Sequence, residues 1–308
     1  MINSFVELIN YARQIKSKRV GVVFPENEPT FRAIAESQRK LGSHFILAGD
    51  KEIIEEAIGK YGVQSDTVRV MDASDPSDSA NEIIKLSRDG KVDILLKGSI
   101  DTATLMKLVL QDGSGLRTGR LLSDVFVIEY PDQNSSRLLM ITDGGINPAP
   151  DLKAKIEIIR NAVEVSHALG NDMPRVAVIS ASEFVNLDMR STIDAAVLSK
   201  MNERKQISGC IVDGPLALDN AIDVKAAREK GIESPVAGMA DILVAHDIET
   251  ANSLAKSTTY FAKLTPAHVV VGGRIPILIP SRADTAEAKL LSIALGSIVS
   301  EYYSVRGI

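Results

Sequence analysis

Short apolar runs and helix-length amphipathic stretches alternate along this chain almost from end to end. Runs rich in β-branched residues at 19–24, 44–49, 68–72, 92–98, 123–130, 137–143, 175–180, 209–214, 240–245 and 268–273 read as strands. The stretches between most of them, such as PTFRAIAESQRKLG and DLKAKIEIIRNAVEVSHALG, place apolar residues at the helical period. Near-continuous apolar strands alternating with helices imply an α/β fold with mostly parallel sheets covered on both faces. One pair departs from this. SDVFVIEY and RLLMITD are joined only by PDQNSS, too short for a helix, and predict an antiparallel hairpin. Near the start, Phe5, Leu8, Ile9 and Ala12 recur at helical spacing among Glu7, Asn10, Arg13 and Lys16. That pattern predicts an amphipathic helix rather than a signal peptide or a membrane span.

Two breaks interrupt the alternation. DGGINPAP at 143–150 stops regular structure with two glycines and two prolines and marks a domain boundary. GGRIPILIPSR at 272–282 is a second break ahead of a final helix.

Composition then narrows the classes. At roughly 150 residues per domain, 308 residues predict about two domains, read as two α/β units facing each other across a cleft. Lys plus Arg number 35 against 40 Asp plus Glu, a net charge of −5. No basic excess is present for neutralising nucleic-acid phosphates. The single cysteine, Cys210, excludes an intramolecular disulfide framework and fits a reducing, cytoplasmic setting. In GCIV it reads as a small core hydrophobe. His44, His167, His246 and His268 show no metal-ligand spacing, and His44 and His268 open apolar strands as structural residues. Walker, GxGxxG and GxSxG motifs are absent.

Three stretches carry candidate chemistry. In Pro280-Ser281-Arg282-Ala283-Asp284-Thr285-Ala286-Glu287, the spacing of Asp284 and Glu287 is that of a helix start. The first carboxylate would cap free amides while the second reaches back. Ser281 and Arg282 then lie in a loop just ahead of a helix N-terminus, where amides, dipole and guanidinium would hold an anion. The alternative for Arg282 is a surface ion pair of little weight. Lys97-Gly98-Ser99-Ile100-Asp101-Thr102 follows the apolar run VDILL, and ligands of open α/β sheets gather at such strand ends. Ser99 or Asp101 serves equally as an ordinary helix cap. The turn Gly115–Arg120 presents Arg117 and Arg120, either to phosphates or simply to solvent.

On these residues the chain resembles the phosphate acetyl/butyryl transferase family, and within it the phosphate butyryltransferase branch. The likeness rests on LLKGSIDTATLMKLVL, GLRTGRLLSDVFVIE, TDGGINPAPDLKAKIEIIRNAVEVSHALG, SKMNERKQISGCIVDGPLALDNAI, SPVAGMADILVAHDIETANSLAKSTTYF and SRADTAEAKLLSIAL, in the family's order. The first 90 residues agree only in strand–helix pattern. The resemblance implies that butyryl-CoA plus phosphate gives butyryl phosphate plus CoA, reversibly, or the same reaction with acetyl-CoA. It implies two α/β/α domains like those of isocitrate and isopropylmalate dehydrogenases, with the active site in the interdomain cleft. Residues 1–145 with 283–308 would form one domain and 146–282 the other, in a homodimer or larger cytoplasmic assembly.

No metal and no tightly bound cofactor is implied; CoA enters as substrate, and neither nucleic acid nor membrane is a partner. Arg282 would bind phosphate or acyl phosphate, and Ser281 would hydrogen-bond the thioester oxygen. Lys97, Ser99, Thr102, Asn147 and Asp213 would contact substrate, and Arg117 with Arg120 would meet CoA phosphates. One departure matters. The acetyl branch carries an aspartate seven positions after the serine, and Ala288 stands there in this chain. The base that deprotonates CoA is therefore Asp284, Glu287 or no carboxylate at all. Two rivals remain, a non-catalytic CoA- or acyl-phosphate-binding protein and a dehydrogenase of similar fold. The second would need metal-binding aspartates and a nicotinamide motif, which the sequence lacks.

Overall fold

Helices start where the sequence supplies acceptors. Asn27, Asp50, Asp75, Asp101, Asp151 and Asp247 each accept from an amide in the first turn that follows, satisfying donors that no helix carbonyl can reach. Gly42 and Gly62 end two helices at φ of 65° and 68°, a left-handed geometry that glycine adopts at little cost. The structure, a computed structural model, describes residues 1–131 and 136–307.

In chain order the first stretch forms α1 (Phe5–Gln14), β1 (Arg19–Val23), α2 (Glu28–Leu41), β2 (His44–Gly49), α3 (Lys51–Tyr61), β3 (Val68–Asp72), α4 (Pro76–Arg88), β4 (Ile94–Lys97) and α5 (Thr102–Leu110). Next come β5 (Ser123–Pro131), β6 (Ser136–Thr142), α6 (Leu152–Ala168), β7 (Arg175–Ile179), α7 (Arg190–Glu203), β8 (Ile211–Leu216), α8 (Leu218–Ile222), α9 (Val224–Glu229), β9 (Ile242–Val244) and α10 (Ile248–Tyr260). The last stretch adds β10 (Pro266–Val271), β11 (Ile277–Leu278) and α11 (Ala286–Arg306).

These elements form two compact units, Phe5–Arg120 with Thr265–Ile308, and Met1–Ser4 with Leu121–Leu264. In the first, strands run in the order β3-β2-β1-β4-β11-β10, all parallel except the β10–β11 pair. In the second the order is β5-β6-β9-β7-β8, parallel except for the β5–β6 hairpin. The expected α/β class, the mostly parallel sheets and the hairpin are all present. Residues 132–135, most of the PDQNSS connection, lie outside the described residues.

The division falls at Leu121 and Thr265 rather than at 145 and 282. The hairpin groups with the later segment because β6 pairs in parallel with β9, Met140 opposite Ile242. The segment after 265 groups with the earlier one because β11 pairs in parallel with β4, Ile277 opposite Leu95. That strand also corrects the reading of 272–282 as a plain break. Prolines at 276 and 280 flank only two paired residues, so the local composition reads as loop.

α11 packs on α1, α2 and β10 and buries residues around its whole circumference, among them Leu290, Ile293, Leu295 and Ile298. A helix buried on all sides is a core helix, and burying each such apolar side chain stabilises by about 1.5–3 kcal/mol. The other unit has its own core, in which Phe126, Ile128, Leu139, Ile141 and Leu243 meet. Among the described residues no helix is long and apolar enough to cross a membrane.

Candidate active site

The loop after β4 is built against the end of β1. Gly98 and Ser99 donate backbone hydrogen bonds to the carbonyls of Val23 and Phe24, both at 2.8 Å. Lys97, the last residue of β4, is 5% exposed, and its Nζ donates to the carbonyls of Gly98 (3.3 Å) and Ile100 (3.0 Å). Asp101 caps α5, accepting from Thr104 N at 2.8 Å, and hydrogen bonds from the Thr104 side chain first and its amide second hold the exposed carboxyl below the ordinary carboxylate range. Ser99 and Thr102 are half-buried beside it.

A second loop leaves β11, the parallel neighbour of β4. Because the strands run the same way about 5 Å apart, their following loops emerge side by side at the carboxyl end of the sheet. The Ser281–Arg282 loop therefore lies beside the Lys97 loop. Asp284 Oδ2 accepts from Ser281 N at 2.8 Å and stands 3.5 Å from His268 Nε2. Ser281 O in turn accepts from Asp284 N at 3.1 Å.

The helix cap is thus corrected. Thr285, extended at φ −66° and ψ 163°, caps α11 by accepting from Ala288 N, because the Asp284 carboxylate is turned back into the loop. Glu287 lies exposed in the first turn, where a negative charge suits the helix dipole without the reciprocal cap. Arg282 is exposed at the lip of the loop.

Lys289 completes the group, and sequence reasoning assigned it no role. It is 2% exposed, and its Nζ donates to Ser281 O at 3.0 Å. The available signal was a lone cation inside the apolar helical run AKLLSIALGSIV. Burial pushes Lys289 below the ordinary lysine range, with Asp284 opposing. Lys97 is pushed down to about 8, by burial first and then by the charges of Lys289 and Arg282, against Asp101 and Asp284. These loops gather three cations and two carboxylates, an excess of positive charge suited to a small anion.

The remaining candidates sit on other elements. Arg117 is exposed and ion-paired to the exposed Asp112 at 2.8 Å, a surface pair of little weight. Asn147 and Asp213 belong to the other unit. Asn147 Nδ2 donates to Leu122 O at 2.8 Å and to Asp143, whose carboxylate also accepts from the amides of Gly145, Ile146 and Asn147. Burial and the neighbouring Asp124 push the Asp143 carboxyl up. Asp213, at the end of the sheet in β8, accepts from Ser199 Oγ at 3.2 Å and from Gly214 N at 2.8 Å. His44 is exposed and His268 buried. Burial pushes the Cys210 thiol up to about 11, as befits a core residue. Among the described residues no group of three or more His, Cys, Asp or Glu could hold a metal ion.

The profile of the family described as Phosphate acetyl/butaryl transferase matches residues 75–296, spanning both loops. The chain belongs to this family. Phosphate butyryltransferase of Clostridium beijerinckii is 43% identical over 300 residues, covering 97% of this chain and 99% of the relative. Phosphate acetyltransferase of Thermotoga maritima is 40% identical over 292 residues, 95% of this chain and 98% of the relative. The crystal structure of a branched-chain phosphotransacylase from Enterococcus faecalis V583 superposes with TM-score 0.81 at 29% identity, covering 92% of this chain and 99% of that one. A 4-hydroxythreonine-4-phosphate dehydrogenase structure from Salmonella typhimurium, at TM-score 0.55 and 12% identity over 92% of this chain and all of that one, shares the fold alone. The family and the dehydrogenase-like fold read from the sequence both stand.

Proposed function

We propose that this protein moves a short-chain acyl group, butyryl or one of similar length, between CoA and inorganic phosphate, with the anion held by the paired loops after β4 and β11. The observation that carries the reading is the parallel β4–β11 pair, which sets Lys97 and Lys289 beside Ser281 and Arg282.

Phosphate is already anionic and nucleophilic at neutral pH, so no side-chain nucleophile is needed. A phosphate oxygen attacks the thioester carbonyl carbon, and the carbonyl oxygen becomes an anion. Collapse of that species breaks the C–S bond, and the CoA thiolate leaves and takes up a proton. Arg282 presents a fork for two phosphate oxygens, Lys97 adds a fixed cation, and the hydroxyls of Ser99 and Thr102 add donors. Ser281 donates to the carbonyl oxygen as it gains charge. In reverse, the thiol needs a base, read as Asp284, Glu287 or none. Asn147 and Asp213 are assigned to substrate contact, and Arg117 to a CoA phosphate. Acyl-CoA and phosphate are the partners, no cofactor is tightly bound, and the protein works as a cytoplasmic homo-oligomer.

The test is release of free thiol from butyryl-CoA with and without phosphate. Release should require phosphate and should fall about 10²–10³-fold in Arg282→Ala with thermal unfolding nearly unchanged. Equal release without phosphate would mean a thioesterase, and tight CoA binding without turnover a non-catalytic binder. The 40% identity to a phosphate acetyltransferase favours a second reading with acetyl-CoA as donor. Rates over acetyl-, propionyl-, butyryl- and isobutyryl-CoA decide between them.

A further inference from the structure

Resting on that reading of Ser281 and Arg282, we propose that Asp284 is a positioning residue that, together with Lys289, clamps the Ser281 peptide unit, and is not the base that takes the CoA proton. The observation is a set of bonds closed around one residue. Ser281 N donates to Asp284 Oδ2 at 2.8 Å. Ser281 O accepts from Asp284 N at 3.1 Å and from Lys289 Nζ at 3.0 Å. Both backbone polar groups of Ser281 are thus engaged, and neither adjoining peptide plane can turn without breaking one of these bonds. What stays available is the Ser281 hydroxyl proton and the exposed Arg282 guanidinium. These are the two groups that must be aimed at different atoms of one reacting complex.

The oxygen of Asp284 that accepts from Ser281 N is committed by that bond, with His268 Nε2 3.5 Å away. Lys289 supports the same conclusion. A buried ammonium is costly wherever an apolar side chain of similar length would fit, and here it donates to the Ser281 carbonyl. Misplacing a reacting group by about 1 Å costs on the order of 10² in rate, so a rigid grip on Ser281 has kinetic value.

Asp284→Asn, Asp284→Ala and Lys289→Met separate the two roles. Asparagine keeps an oxygen that can accept from Ser281 N but cannot take a proton. A clamp predicts that Asp284→Asn stays within about fivefold of the native kcat with the acid limb of the pH–rate profile retained. Asp284→Ala and Lys289→Met should each fall about 10²-fold, in kcat more than in the KM for acyl-CoA. A base predicts that Asp284→Asn falls as far as Asp284→Ala, most steeply in the CoA-consuming direction and with the acid limb lost; that result overturns the clamp. Should Asp284→Ala not fold, Asp284→Asn and Lys289→Met decide alone. Arg282→Ala with native activity would remove the underlying reading. Arg282→Ala inactive beside unimpaired Asp284→Ala and Lys289→Met would remove only the clamp.

Discussion

Gly98 lies so close to Phe24 that a Cβ on Gly98 would stand 2.5 Å from the Phe24 carbonyl oxygen, and closer still to that of Val23. Both obstacles are backbone of β1 and the residue after it, and cannot swing aside. Gly98→Ala must therefore push the Lys97–Ile100 turn outward, breaking the bonds from Gly98 N and Ser99 N. Overpacking of this kind costs about 1–3 kcal/mol, to be read from the urea midpoint. Because the same turn holds Lys97, the KM for phosphate should rise as well. A variant with native stability and native KM would show that the turn has slack.

Lys97 predicts a pH signature. Its folded value of about 8 lies below the roughly 10.4 of an unfolded lysine. Between those values the unfolded chain binds the extra proton, so stability rises with pH across that window. Below about 8 both states are charged, and the full penalty of burying the ammonium is present. The advantage in stability of Lys97→Met over the native chain should be largest near neutrality and shrink as pH rises from about 8 to about 10.4. Urea midpoints at neutral and alkaline pH check this, and a difference independent of pH would overturn it. The same substitution should weaken phosphate binding, because it removes a fixed charge from the proposed anion site.

Much of this site is local in origin and could be read from the sequence. Lys97 and Ser99 follow an apolar strand through a glycine into a helix, a succession that signals a strand-end ligand loop. Ser281 and Arg282 precede a helix and were found the same way. Their adjacency was not legible, because it depends on Ile277 and Leu278 pairing with Leu95 and Leu96, a distant contact carried by two residues between prolines. The cap was misplaced because Asp284 and Thr285 are both good capping types, and only the turn that binds Asp284 to Ser281 decides between them. Lys289 was overlooked because a cation on a helix is ordinarily solvated.

Another buried lysine tests a different balance. Lys155 is 1% exposed, and its Nζ lies 2.8 Å from Asp194 Oδ2 and 2.8 Å from His246 Nδ1. Arg190 Nε donates to the other carboxylate oxygen at 2.7 Å. Asp194→Ala would leave an uncompensated cation in the core and should cost about 3–5 kcal/mol, measured by urea unfolding. Burial pushes the Asp194 carboxyl up, but the bonds from Lys155 and Arg190 outweigh it and hold it below its usual range. Its contribution to stability is therefore present above about pH 3.9 and lost as pH falls through the lower folded value. Asp194→Ala should flatten that acid limb, and an unchanged limb would mean that other carboxylates control it.

Ala288 invites the opposite experiment, placing a carboxylate where the acetyl branch has one. The geometry predicts that it fails. Neighbouring positions on a helix point about 100° apart, and Lys289 is the residue aimed at Ser281. Residue 288 lies about a quarter turn from that direction and is only 2% exposed, next to the first-turn amide that Thr285 caps. An aspartate there would be an ionised group in the packed first turn of α11, with Leu290 and Leu291 buried close by. Ala288→Asp should lower the urea midpoint by an amount corresponding to about 1–3 kcal/mol, and should slow CoA consumption with butyryl phosphate rather than accelerate it. Faster CoA consumption at native stability would mean that position 288 does reach the thiol. The proton chemistry of this chain would then be one substitution away from that of the acetyl branch. A slower and less stable variant would mean that the start of the helix has been repacked around Lys289, so that an acid cannot be restored without moving the lysine as well.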